Sequence, residues 1–228
     1  MTAQPVESGL TGPAEDYLKT IYDVERTAPG TAVSTTDLAH RLAIAPASVT
    51  GMVKRLADQG LIEHEPYRGV RLTERGRRAA LRTLRRHRVI EAYLAQALGY
   101  PWDRVHDEAE RLEHAASDEL VDRMAAAIGE PTVDPHGAPI PTREGAIAEE
   151  TAVKTLAELA VGERARVARV SDEDGERLRY LASLGIVPGA LLDVTSRAPY
   201  GGPIEIRVDG VGRQVGPELA AHIVVAPA

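Results

Sequence analysis

Between Val105 and Leu120 the chain carries His106, Glu110, Glu113 and His114, spaced i, i+4, i+7 and i+8. Wound as a helix, that spacing puts all four on one face. Glu110, Glu113 and His114 stand at the i, i+3, i+4 separation at which side chains meet. Two carboxylates brought that close repel each other, and a divalent cation that took them and the imidazole as ligands would remove the conflict. The same run also reads as a solvated acidic helix face. A second couple, His87 and Glu91, is spaced i, i+4 on an earlier helix, where an ordinary ion pair is the plain alternative. Asp16 opens the first helix beside Glu15, where negative charge suits the N-terminal dipole without any further role. There is no Cys, so thiolate ligands, disulfides and a nucleophilic thiol are excluded.

The elements that must position these groups follow from periodicity. A helix is expected from about Pro13, with Leu18, Ile21 and Tyr22 continuing it. Ser34 or Thr35 caps a second, short helix to about Leu42, and a third runs from Pro46 to Gln59 with Val49, Met52, Val53 and Leu56 inward, stopped by Gly60. Two short helices joined by a tight turn make a helix-turn-helix. The outward residues of its second helix are Ala47, Ser48, Thr50, Gly51, Lys54 and Arg55: small and hydroxyl-bearing residues first, cations later. That order suits a helix N-terminus in a DNA major groove. Leu61–Thr73 reads as a hairpin around a turn at Pro66–Gly69, a wing from which Arg68 and Arg71 can reach phosphates or a minor groove. With Thr35, these are the candidate DNA contacts. A long helix is expected over 74–98, broken at Gly99-Tyr-Pro101. The acidic helix, capped by Asp103, follows. Its apolar side (Leu112, Ala115, Ala116, Leu120) must be buried on the neighbouring helix or on a second copy, which points to a homodimer. Pro131–Pro141 reads as a semi-rigid linker. Beyond residue 155, five short β-branched segments with one helix at Gly175–Leu184 suggest a small barrel.

Charge divides the chain in the same places. Arg41–Arg88 holds twelve Lys and Arg against four Asp and Glu, whereas Tyr100–Glu176 holds nineteen acids against eight bases, in a protein of net charge -7. A basic region suits a polyanion and an acidic one suits a cation. No run of about 18 apolar residues predicts a membrane span, and Met1–Leu10 lacks the form of a signal peptide; a cytoplasmic location without membrane partners is expected. A metal-dependent hydrolase also uses carboxylate and His clusters, but no nucleophile or separate general base stands out. A winged-helix regulator of an organic ligand is the other alternative.

Glu15-Asp-Tyr-Leu-Lys-Thr-Ile-Tyr22, the helix-turn-helix, Arg86-His-Arg88, Val105-His-Asp-Glu-Ala-Glu-Arg-Leu-Glu-His114 and Pro135-His-Gly-Ala-Pro-Ile-Pro141 together resemble the diphtheria toxin repressor family of iron- and manganese-dependent transcriptional regulators. Leu184-Gly-Ile-Val-Pro-Gly189 and Ala198-Pro-Tyr-Gly-Gly-Pro203 resemble its SH3-like FeoA domain. The resemblance implies an α+β chain in three parts: a winged helix-turn-helix (1–75), a helical metal-binding and dimerisation domain (76–150) and an SH3-like small β-barrel (151–228). It implies a repressor activated by Mn(II) or Fe(II), with two metal sites per protomer and a palindromic double-stranded operator. The primary ligands would be Asp16, Glu110, Glu113 and His114; Asp16 and Glu110 follow the manganese branch, where the iron branch has Met and Cys. The ancillary ligands would be His87, Glu91 and His106, with Asp174 from the SH3-like domain. Three positions depart from the pattern. Lys19 stands where the manganese branch has Glu, Arg177 where a ligand amide is found, and Gly51 where the iron repressors have Gln.

Overall fold

The computed structural model describes residues 9–28, 30–65, 68–148, 154–171 and 174–228. The chain divides into two compact units. The first comprises Met1–Arg86, Glu113–Ala116 and Pro141–Ile147; the second comprises His87–Leu112, Ser117–Ile140 and Ala148–Ala228.

In the first unit, α1 (Gly12–Thr27) begins with Pro in its opening turn and buries Ala14, Tyr17, Leu18, Ile21 and Tyr22, the i, i+3, i+4 stripe of an amphipathic helix. α2 (Thr35–Arg41) is capped by Ser34, whose side chain accepts from the Asp37 amide. A turn with Ala43 at φ 52° leads into α3 (Pro46–Asp58), which turns Val49, Val53 and Leu56 inward. Strands β1 (Ile62–Glu65) and β2 (Gly69–Leu72) pair antiparallel, and Val33 bridges to Val70. Of the turn expected at Pro66–Gly69, residues 66 and 67 lie outside the described residues. α4 (Glu74–Leu98) spans the length expected for it. Gly76 in its first turn is required by packing: a Cβ there would lie 1.9 Å from the Leu61 carbonyl oxygen. These elements share one core that includes Leu18, Ile21, Leu38, Val49, Leu56 and Val70.

The second unit takes the rest of α4, then α5 (Val105–Leu112) and α6 (Asp118–Ala127). The acidic segment is therefore not one helix to Leu120. α5 ends at Leu112, Glu113–Ala115 form a turn, and a new helix starts behind Ser117, which accepts from the Leu120 amide. Ser-Asp-Glu is a strong N-terminal signal, a capping oxygen followed by two acids on the positive end of the dipole. It outcompetes continuation of α5.

Residues 131–140 also differ from expectation. They are a packed loop rather than a spacer: Val133 bridges Pro139, Asp134 and His136 are buried, and the Asp134 Oδ1 accepts from the amides of His136 (2.8 Å) and Ala138 (3.0 Å). Gly137, at φ 89°, passes so close to strand β4 (Arg164–Val170) that a Cβ would lie 2.0 Å from the Ala168 carbonyl oxygen. The C-terminal part is a six-stranded antiparallel sheet in the order β3-β8-β4-β5-β6-β7, formed by β3 (Lys154–Thr155), β4, β5 (Leu191–Arg197), β6 (Ile204–Val208), β7 (Val211–Val215) and β8 (Ile223–Pro227). Two bulges, at Val167/Arg169 and Val194/Ser196, let it curl. α7 (Gly175–Leu184) and the short α8 (Pro217–Ala220) complete a core around Leu178, Leu181, Leu192, Ile204 and Ile206. Sequence alternation showed five of these strands and missed the two-residue β3. Among the described residues no helix is long and apolar enough to cross a membrane.

Candidate metal centre

Three groups of candidate ligands form among the described residues: Asp16 with Glu113 and His114, His87 with His106 and Glu110, and Glu91 with Asp134 and His136. Within each, one ligand atom per residue lies within 4.8 Å of the others.

The first group joins α1 to the turn after α5. His114 Nε2 is 2.8 Å from Asp16 Oδ1 and 3.5 Å from Glu113 Oε1. Its Nδ1 is 2.7 Å from Glu15 Oε2, and Glu15 is in turn held by Arg86 of α4. An imidazole whose Nδ1 faces a carboxylate is fixed in orientation, with Nε2 turned to the other two ligands. Gly12 lets the first turn of α1 come close; a Cβ there would stand 3.1 Å from His114 Cγ. Burial holds the Asp16 pKa above the ordinary carboxylate value, against the opposing pull of His114 and Lys19. Burial alone would lower that of His114, but the Glu15 hydrogen bond and the charges of Asp16, Glu113 and Glu15 outweigh it and leave it raised. Both groups thus bind a proton more tightly than the free side chains do. The Glu113 side chain is fully buried, with Lys19 Nζ 2.7 Å from its Oε1.

The second group lies between α4 and α5. His87 Nε2 is 3.2 Å from His106 Nδ1, and Glu110 Oε1 lies 3.6 Å from His87 Nδ1 and 4.0 Å from His106 Nε2. Glu91 Oε1 is 3.0 Å from His87 Nε2 and 3.4 Å from His106 Nδ1. Burial works against the charged form of Glu91, but His87, His106 and His136 around it hold its carboxyl well below the usual range. Glu91 Oε2 is buried without a hydrogen-bond partner, a cost unless a cation takes it.

The third group shares Glu91. His136, stacked on Trp102, has Nε2 2.7 Å from the Trp102 carbonyl oxygen. That nitrogen must donate, and Nδ1 lies 3.9 Å from Glu91 Oε1. Asp134 Oδ2 lies 3.5 Å from Arg88 Nε.

The structure thus brings Asp16 to Glu113 and His114, and His87 and Glu91 to His106, but gathers Glu110 with the histidine pair. Asp174 joins none of the three groups; its Oδ1 caps α7 through the amides of Glu176 and Arg177. Asp134 and His136 went unseen because a Pro/Gly-rich run reads as a linker; a carboxylate and an imidazole two residues apart in it were the available signal. Glu15 was legible only as a helix-start charge. On α3, the side chains of Ala47, Ser48, Thr50, Lys54 and Arg55, with Gly51, are exposed while Thr35 is half-buried. In the wing Arg68 pairs with Glu65 at 3.1 Å, and Arg71 donates to the Gly30 carbonyl.

Three family descriptions match the chain: the iron-dependent repressor N-terminal DNA-binding domain over residues 9–70, the iron-dependent repressor metal-binding and dimerisation domain over 73–142, and the FeoA domain over 154–227. The iron-dependent repressor IdeR of Mycobacterium tuberculosis is 33% identical over 229 residues, covering 94% of this chain and 96% of the relative. The diphtheria toxin repressor of Corynebacterium efficiens is 31% identical over 81% of this chain and 84% of its own. A solved manganese-dependent transcriptional repressor in complex with manganese superposes with a TM-score of 0.87 at 41% identity, over 94% of this chain and all (100%) of that one. By sequence and by fold, the chain belongs to the iron-dependent repressor family of metal-dependent, DNA-binding transcriptional regulators.

Proposed function

We propose that this protein is a homodimeric repressor of metal-ion homeostasis genes, activated by Mn(II) or Fe(II). The observation that carries the reading is the meeting of Asp16 with Glu113 and His114, residues almost a hundred positions apart, in the unit that also presents the exposed face of α3. The donors suit the group: carboxylate oxygens and one imidazole favour Mn(II) and Fe(II) over soft metals. Relatives described as iron-dependent and solved relatives described as manganese-dependent support the same pair. The second ion is assigned to His87, Glu91 and His106 with Glu110, where Glu91 Oε2 lacks a partner.

A divalent ion bound at the first group supplies the positive charge that lets Asp16 and Glu113 stand together. The rest is done by the chain. Asp16 anchors α1, and α1 packs on α2 and β2. Glu15 and Arg86 hold His114 in place for Asp16 to reach. Fixing α1 to the turn at Glu113–Ala115 therefore fixes the platform from which α3 is presented. Linkage sets the limit: DNA binding is biased only as far as the ligands prefer the ion in the DNA-competent arrangement. Leu98, Tyr100, Leu112 and Leu120 are exposed apolar residues of the helical region, which supports pairing with a second copy. Two recognition helices one DNA turn apart, about 34 Å or a multiple, would read a palindrome.

The test is duplex selection from a random pool in the presence of Mn(II), followed by binding titrations across a panel of divalent ions. Binding should tighten with Mn(II) or Fe(II), collapse with chelator, and lose its metal response in Asp16→Ala. A selected duplex bound equally well with and without metal would overturn the reading.

A further inference from the structure

Lys19 is a cation in contact with the first ligand group that the proposed metal chemistry does not use. It stands three residues after Asp16 on α1, and its Nζ is 2.7 Å from Glu113 Oε1. That same oxygen lies 3.5 Å from His114 Nε2, so it is the Glu113 oxygen turned toward the other ligands. The Glu113 side chain is 0% exposed and that of Lys19 12%. A carboxylate buried to that degree would be strongly disfavoured without a counter-charge, and the ammonium provides one.

We propose that Lys19 is a resident counter-cation that competes with the divalent ion for Glu113, and so sets the metal concentration at which the site fills. The inference rests on Asp16, Glu113 and His114 being a metal site. Without metal, the ammonium neutralises Glu113 and keeps the turn after α5 against α1. For Glu113 Oε1 to become a ligand, the ammonium has to leave it. It stays charged throughout; what changes is its position, swinging on a flexible four-carbon stem toward solvent. Breaking the pair subtracts from the affinity for metal, and the displaced positive charge, still near the ion, subtracts further. The device holds the site empty at low metal without weakening the ligands themselves.

The experiment is a Mn(II) titration of the full-length protein by calorimetry, with thermal unfolding of metal-free samples alongside. Lys19→Met removes the charge and keeps the apolar stem. It is expected to tighten the first Mn(II) on the order of tenfold, the scale of one partly screened charge a few ångströms away, while lowering the metal-free melting temperature. Lys19→Arg, which keeps the charge, is expected to stay near wild type in affinity. Lys19→Gln, polar and neutral, is read by the same criterion where Lys19→Met folds poorly. Neutral variants that bind Mn(II) no more tightly than wild type overturn the proposal. Asp16→Ala separates the two readings. If it leaves the titration unchanged, the metal site itself is wrong; if it abolishes the first binding event while Lys19→Met matches wild type, only the role of Lys19 falls.

Discussion

His114 is turned by Glu15 and Arg86 so that one nitrogen faces Asp16 and Glu113, where a proton and a cation compete for it. The pKa values of His114 and Asp16 are both raised, so both groups hold protons more tightly than free side chains do. Protons therefore compete with metal at this site, and affinity for Mn(II) is expected to fall as pH drops through the raised His114 value. Calorimetry in buffers of different ionisation enthalpy counts the protons; no release between pH 6 and pH 8 would contradict the arrangement. The sign for metal-free stability is opposite. A His raised in the fold stabilises it below the unfolded pKa, about 6.5, and that contribution is lost as pH rises through the folded value. At the other cluster, Glu91→Ala should cost the metal-free protein about 3 kcal/mol in chemical denaturation, because it strands three histidines packed around a buried charge. Most of these residues were visible as types at telling spacings. Which of them meet was not. Glu110, Glu113 and His114 share a face only if the helix continues, and Glu15, Asp134 and His136 gain their neighbours from chain segments far away in sequence.

Helix boundaries carried much of the information at the level of elements. Proline at the start of α1 and α3, Ser34 before α2 and the apolar stripes of α1, α3 and α4 placed those helices within a few residues of where they lie. The break after Leu112 is hidden in the sequence because the helical spacing of the charged residues runs on through it, although Ser117-Asp-Glu starts a new helix. Ser117→Ala should therefore destabilise by about 1 kcal/mol, measured by urea unfolding, and loosen the turn that presents Glu113 and His114. Gly76→Ala should be worse, about 2 kcal/mol or more, since the added methyl would meet the Leu61 carbonyl and α4 would have to move. The packed loop at 131–140 looked like a tether because Pro and Gly suggest a spacer; its amides are instead taken up by the Asp134 carboxylate and by carbonyls of the loop, and the Val170 amide of β4 donates to the His136 carbonyl.

Across the whole molecule, the charge asymmetry was readable from composition alone, since a basic front and an acidic middle need no three-dimensional information. The six-stranded sheet was readable as a class, its register and bulges were not, because alternation says which face is buried but not which strand is next. If two copies read a palindrome, inserting about five base pairs between half-sites, half a helical turn, should abolish tight binding in a mobility-shift assay, and ten should restore part of it. Lys54→Ala should weaken binding to all sequences alike and reduce the salt slope by about 1.

Glu91 faces two ways. One of its oxygens lies near His87 and His106 and also toward His136, so neighbouring positions draw on a single donor. His136 thus draws on the carboxylate that the second proposed ion would take beside His87 and His106. A residue that need not touch an ion can in that way set how firmly its seat is held.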